Sequence, residues 1–364
     1  MQIVYFPYLH LIDRDEVSFG DVKVWNFDRV GRDYIKDTDL RDHIGKLLQS
    51  NVQNEKPLGD IGVLSIGKTD FREFNDDEFR LVDEVRLIMF LGFLSRNNVN
   101  LDGENSGHWV ATSENFTFAI QNFNPKSMSI SQQNGFIIRK LDGGYKLGEL
   151  KFHAPPFVPE PLRFSLDGEL LTKLLDVKKS NITFVKRIMR ATDLMFEAYF
   201  NNPHLSINAR ALLMCTSFEV LLNLPESGQR KEFKEITRTL TCIGSKQKIR
   251  YTSIRRRTPG WEWEVAPVKV MWADKFYTLR NKIIHGAKVK PSDFMFRNKY
   301  SHFDIAPKFF VLFVKKLLNE KIGKNYFNDD LTWDCVDTEN GPYSYFAYHD
   351  SSIGRRLSRI STDS

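Results

Sequence analysis

Three cysteines in 364 residues (Cys215, Cys242 and Cys335) are too few and too scattered for a disulfide framework, and no CxxC pair is present to hold zinc. Cys215 lies in an apolar helical stretch and reads as a small core residue. This scarcity points to an intracellular, cytoplasmic protein. Long apolar runs are missing too. The longest, around Leu87–Leu94 and Phe309–Val314, fall far short of the roughly 20 residues of a bilayer span. The start, MQIVYFPYLHLIDRDEV, has no basic segment and meets acidic residues early, unlike a signal peptide, so no membrane partner is expected. No GxxxxGK[ST] or GxGxxG loop argues for a bound nucleotide, and no HExxH or carboxylate cluster argues for a metal. No cofactor is expected.

What is there suits a folded protein of two domains. Apolar residues make up 41% and charged residues 27%, with 29 phenylalanines available for cores, and the length exceeds what one core usually serves. The net charge of +6 is a modest bias toward polyanionic partners.

Residues 1–160 mix strand and helix signals, an α+β domain with a possible sensor or regulatory role. Val22 and Val24 alternate with charged neighbours, and Phe116, Phe118 and Ile120 alternate with Thr117 and Ala119, both at the period of a strand. GFIIRKL and YKLGELKF flank Asp142-Gly143-Gly144, a hairpin signal. Asn75-Asp76-Asp77-Glu78 suits a helix start, and the pattern continues to about Arg96. Pro155, Pro156, Pro159 and Pro161 then mark an extended linker and a domain boundary.

Beyond the linker the strand signals nearly vanish. Helical stretches follow at about 182–201, 206–223, 229–243, 267–285 and 303–322, punctuated by glycine and proline. Residues 161–324 are therefore expected to form an all-α antiparallel helical bundle. Residues 325–364 form an irregular segment with a frayed tail.

The most informative stretch is MWADKFYTLRNKIIHG, residues 271–286. Trp272, Phe276, Leu279 and Ile283 fall on one face of a helix and form a buried stripe. Asp274, Tyr277, Asn281 and His285 fall on the opposite face, with Arg280 at the border. His285 before Gly286 also fits a plain helix C-terminus, where glycine turns left-handed. Both readings hold together, because a helix end gives a side chain access to a ligand.

Arg280 and His285 are separated by four residues, and a polar Asn281 follows the arginine. This spacing, within the phrase from Phe276 to Gly286, resembles the helix of Apea-like HEPN ribonucleases. The upstream ALLMCTSFEVLLNL with Glu219 is also in that family's style. The same spacing recurs from Arg297 to His302, which lacks the apolar stripe and is expected in a loop. The resemblance covers about residues 180–323. It implies a HEPN-like bundle, Arg280, Asn281 and His285 as catalytic residues, cleavage of RNA to a 2′,3′-cyclic phosphate, and a homodimer with a composite site. It also implies a toxin or phage-defence role.

The chemistry is consistent with those residue types. RNA carries its own 2′-hydroxyl nucleophile. A histidine moves protons near neutrality, and an arginine offers a planar fork to a charged phosphate. Asn281 is placed to orient either. Between Arg230 and Arg257 ten cations stand against Glu232 and Glu235, a local charge of +8. Lys246, Lys248, Arg250, Arg255, Arg256, Arg257 and, on the catalytic helix, Lys282 are the expected RNA-binding residues. Tyr251, Trp261 and Trp263 are available for base stacking. Two other readings stand beside the ribonuclease: a non-catalytic HEPN module that binds RNA or a protein, and a regulatory partner whose N-terminal domain does the work.

Overall fold

The computed structural model describes residues 2–11, 14–67, 72–97, 113–124, 129–134, 138–139, 151–153, 162–164, 166–199, 205–240, 248–254, 261–296, 300–324 and 327. It is a mixed α+β fold. The chain divides into two compact units. One comprises Met1–Phe93, Trp109–Leu171 and Tyr199–Asn202; the other comprises Leu94–His108, Thr172–Ala198 and Pro203–Ser364.

The first unit is built on a sheet. Strands β1 (Gln2–Leu11), β2 (Glu16–Phe19) and β3 (Val22–Asn26) precede helices α1 (Phe27–Tyr34) and α2 (Thr38–Gln49). Next come β4 (Asn51–Gln53), β5 (Lys56–Pro57), β6 (Ile61–Ile66) and the long helix α3 (Asp76–Asn97). The remaining strands are β7 (Ala119–Asn124), β8 (Ser129–Asn134), β9 (Ile138–Arg139), β10 (Phe152–His153) and β11 (Leu162–Phe164). The main sheet runs β2-β3-β6-β1-β7-β8-β9 and is antiparallel, with β11 added parallel to β1. A smaller sheet joins β10, β4 and β5.

Alternation along β1 explains why the sheet is covered on both sides. Ile3 and Tyr5 pack with Trp25, Val63 and, from α2, Ile44, Leu47 and Leu48, while Val4 and Phe6 on the opposite face are also buried. Helix α3 starts where its sequence dictates. Asn75 accepts from the N–H groups of Asp77 (3.1 Å) and Glu78 (3.0 Å), and the Glu78 carboxylate accepts from Asn75 N–H (3.0 Å), a reciprocal cap. Phe116, expected in a strand, instead closes a 3-10 turn (Ser113–Phe116), and β7 starts at Ala119. Its ring packs edge-on against Phe90, at 5.5 Å. The hairpin expected around Asp142-Gly144, the four linker prolines and the C-terminal segment (apart from Phe327) lie outside the described residues.

The second unit holds most of α4 (Gly168–Ser180) and of α5 (Ile182–Tyr199), then α6 (Ile207–Leu222) and α7 (Gln229–Thr239). Strands β12 (Lys248–Ile254) and β13 (Trp261–Pro267) lead into α8 (Val268–Ile284), and short strands β14 (Met295–Phe296) and β15 (Tyr300–Ser301) precede α9 (His302–Ile322). The expectation of an all-α unit is corrected here. Residues 248–267 form an antiparallel hairpin in which Lys248 pairs with Pro267 and Ile254 with Trp261. The helical core is aromatic: Trp272 of α8 lies flat on Phe309 of α9, with centroids 4.2 Å apart, and Phe218 of α6 meets Trp272, Phe276, Phe310 and Phe313 edge-on. Among the described residues no helix is long and apolar enough to cross a membrane.

Candidate functional site

Helix α8 carries the site, and its apolar stripe fixes its orientation. Trp272, Phe276 and Leu279 are buried as the spacing predicts, and Ile283 is half-buried near the end. The polar face differs from expectation. Asp274 and Tyr277 are also buried, because α7 lies against that side; Phe233 of α7 meets the Tyr277 ring at 5.9 Å. Asp274 is 1% exposed and takes two 2.9 Å hydrogen bonds from the Arg230 guanidinium, with Lys234 Nζ at 3.4 Å. A buried carboxylate needs such partners, so two cations of the basic stretch serve the fold. Arg238 is likewise paired, with Glu235 at 3.2 Å.

Arg280 sits at the border between buried and open surface, as the wheel predicts. Its Nε is 3.1 Å from Glu219 Oε1 on α6, with side-chain exposures of 20% and 14%. The Tyr277 hydroxyl donates to the same carboxylate and lies 2.8 Å from the Gln229 side-chain oxygen. The guanidinium also lies over the Tyr277 ring, 5.4 Å from its centroid, and Arg280 Nη1 donates to Asn281 Oδ1 at 3.3 Å. Burial, followed by the Glu219 contact, pushes the Tyr277 hydroxyl well above its ordinary range, so it remains a neutral donor. Burial raises the Cys215 thiol in the same way, with Glu219 adding to the effect, which makes that cysteine an inert core group.

Arg280 is thus held by the Glu219 carboxylate, the Tyr277 ring and Asn281. Of its five N–H donors, three have no partner among the described residues. Tyr277 and Gln229 were not singled out as site residues by sequence. Tyr277 could have been, since it precedes Arg280 by three positions and so lies beside it on the helix. Nothing in the sequence near Gln229 marks it.

His285 ends the helix. Its backbone N–H reaches Asn281 O (3.0 Å), Gly286 turns left-handed (φ 65°) with its N–H on Ile283 O (3.2 Å), and Ala287 N–H closes on Lys282 O (2.9 Å). These are the paired bonds of a Schellman terminus, whose left-handed position glycine adopts most readily. The His285 side chain is exposed, and no hydrogen bond or ion pair joins it to the Arg280 network. It lies five positions after Arg280, with four residues between them, which is about 140° around a helix. The structure therefore gathers Arg280 and Asn281 with Glu219 and leaves His285 on a different side of the helix end.

Lys282, expected on RNA, is instead ion-paired with Asp293 at 2.6 Å, and Asp293 also accepts from Lys290 N–H at 2.8 Å. This pairing pins the segment after the helix. Lys248 and Arg250 lie on β12, where Arg250 pairs in register with Val265. Lys246, Arg255, Arg256 and Arg257 lie outside the described residues.

The second motif match is also corrected. His302 is not in a loop but opens α9, 1% exposed among Trp272, Phe276 and Phe296, and its Nδ1 has no hydrogen-bond partner. Burial pushes it down to about 3, against a smaller opposing effect of Asp293, so it is a neutral core histidine. Among the described residues no group of three or more His, Cys, Asp or Glu is arranged to hold a metal ion. No family model, curated protein or solved structure matches the chain.

Proposed function

We propose that the second unit is a HEPN-type helical domain acting as an endoribonuclease on single-stranded RNA, through 2′-hydroxyl attack without a metal and with 2′,3′-cyclic phosphate ends. The observation that carries this reading is the state of Arg280. Two of its N–H donors are fixed by Glu219 and Asn281 while three remain for phosphate oxygens. A guanidinium oriented in advance is worth most where charge builds up on phosphorus. His285, exposed at the helix end, is the proton carrier.

The angular separation of Arg280 and His285 favours a composite site in which two copies bring their helix ends together. Ile284, 48% exposed beside His285, supplies an apolar surface for that meeting. On this reading the cell uses the enzyme as a toxin or antiviral effector, with the first unit as its sensor.

Two observations favour a second reading, a non-catalytic module binding RNA or protein. Arg280 is already paired, and His285 also closes its helix. The deciding test compares wild type, His285→Ala and Arg280→Gln on a mixed-sequence single-stranded RNA in EDTA, with end-group analysis and light scattering. Cleavage to cyclic phosphate by the wild type alone, with all three proteins in one oligomeric state, supports the enzyme. Uncut RNA with all three folded supports the module, and cleavage surviving both substitutions removes these residues from the site.

A further inference from the structure

Helix α5 carries Lys186, Arg187 and Arg190, and all three line an open groove of about 500 Å³ against the C-terminal part of α6, together with Thr216, Glu219 and Asn223. That volume suits a bound small group rather than a crevice between side chains. Lys186 and Arg190 are four residues apart and Arg187 and Arg190 three, so like charges crowd one helix face at mutual cost. Internal pairing does not relieve that cost. The one carboxylate in the lining, Glu219, is already engaged by Arg280 and Tyr277.

Arg187 is held in advance, with its guanidinium over the Phe184 ring at 5.4 Å, yet its Nε is buried with no hydrogen-bond partner. Neither Lys186 nor Arg190 has an ion-pair partner among the described residues. The cations do not cap α6 either, because the Glu219 and Val220 carbonyls accept from the backbone N–H groups of Leu224 (3.0 Å) and Asn223 (3.3 Å). Three crowded cations, a buried donor without an acceptor and an open groove together call for an anion with several acceptor oxygens.

We infer that this groove is a phosphate-binding subsite that seats a phosphodiester of the RNA strand, next to the arginine that shares Glu219 with it. The choice of RNA over a small phosphorylated ligand rests on the ribonuclease reading; the phosphoryl group itself does not.

The test uses the full chain and a 2′-O-methyl oligouridylate, which lacks the nucleophile and so reports binding alone. AMP and inorganic phosphate are titrated in parallel by calorimetry. The variants are Lys186→Gln/Arg190→Gln, which touches only exposed positions, and the triple variant adding Arg187→Gln. Removing like charges should leave the melting temperature unchanged or slightly raised. The expected result is at least about tenfold weaker oligonucleotide binding in the double variant, with the slope of log K against log salt reduced by about 1 to 2. If wild type and both variants bind the oligonucleotide alike, the subsite is refuted while RNA binding stands. If wild type ignores the oligonucleotide but binds AMP or phosphate in a way the double variant loses, the subsite stands for a small ligand and the RNA reading fails. Absence of binding to any of the three ligands overturns the subsite.

Discussion

Replacing Arg280 does two things at once, and the Glu219 ion pair makes them separable. Arg280→Gln leaves the Glu219 carboxylate, 14% exposed, facing a neutral amide. An exposed pair would contribute about 0–1 kcal/mol, and breaking a fully buried one costs about 3–5 kcal/mol. With exposures of 20% and 14% the pair lies between these limits, and a cost of about 2 kcal/mol is expected for either single substitution. Glu219→Gln/Arg280→Gln removes both charges and should recover most of that loss, a coupling of about 1–2 kcal/mol. Hydrogen exchange of the α6 and α8 amides measures the opening of the two helices directly, and 2 kcal/mol appears as roughly 30-fold faster exchange. RNA cleavage is followed in the same four proteins. Restored protection with cleavage still depressed at least about 100-fold in the double variant assigns Arg280 to the chemistry. If the double variant exchanges as fast as the singles, Glu219 does not position Arg280. If cleavage returns with the protection, the arginine's role is structural.

Three further outcomes follow from the same contacts. Asp274→Ala strands Arg230 and Lys234 in a largely buried site and should cost about 3–5 kcal/mol, read as a fall in melting temperature; Arg230→Met should destabilise without altering the salt dependence of RNA binding. His302 has a folded pKa of about 3 against 6.5 in the unfolded chain, so the unfolded state takes up the proton first as the pH falls. Its contribution is complete above pH 6.5 and declines from there toward pH 3, reaching a loss of roughly 2 kcal/mol at pH 5, and His302→Phe should flatten that part of the pH–stability curve. Gly286→Ala forces a left-handed residue and should cost about 1 kcal/mol; a larger fall in cleavage than in stability would show that the helix terminus positions His285.

The helices of the second unit were legible because their apolar residues recur at helical spacing between strong breakers. The spacing predicts helices at 182–201, 206–223 and 303–322, and α5, α6 and α9 occupy 182–199, 207–222 and 302–322. Helix α4 and the β12–β13 hairpin were missed for identifiable reasons. The α4 segment, GELLTKLLDVKKS, has Leu170, Leu174 and Val177 at helical spacing, but it follows the proline stretch closely, and the expected helices begin only at about 182. The hairpin segment KIRYTSI does alternate, with Ile249 and Tyr251 between Lys248, Arg250 and Thr252, yet Lys246 before it and Arg255, Arg256 and Arg257 after it make the stretch read as a basic loop. A wheel correctly placed Trp272, Phe276 and Leu279 together and Arg280 at the border. It could not tell that α7 would cover Asp274 and Tyr277, because a period reports which residues share a face and not what lies against it.

The same limit governs charge. A segment's formal charge becomes a potential offered to a ligand only after internal pairing has been subtracted. Of the ten cations between Arg230 and Arg257, Arg230 and Lys234 are spent on Asp274 and Arg238 on Glu235, and Lys282 on α8 is spent on Asp293. The densest basic run in the chain therefore offers less than its count suggests. On α5 the relation is reversed. Three cations draw no attention in a sequence of ordinary composition, but among the described residues the one carboxylate lining their groove, Glu219, is already paired with Arg280. In a protein whose net charge is only +6, recognition of a polyanion depends less on how many cations a segment holds than on which of them the fold leaves unbalanced.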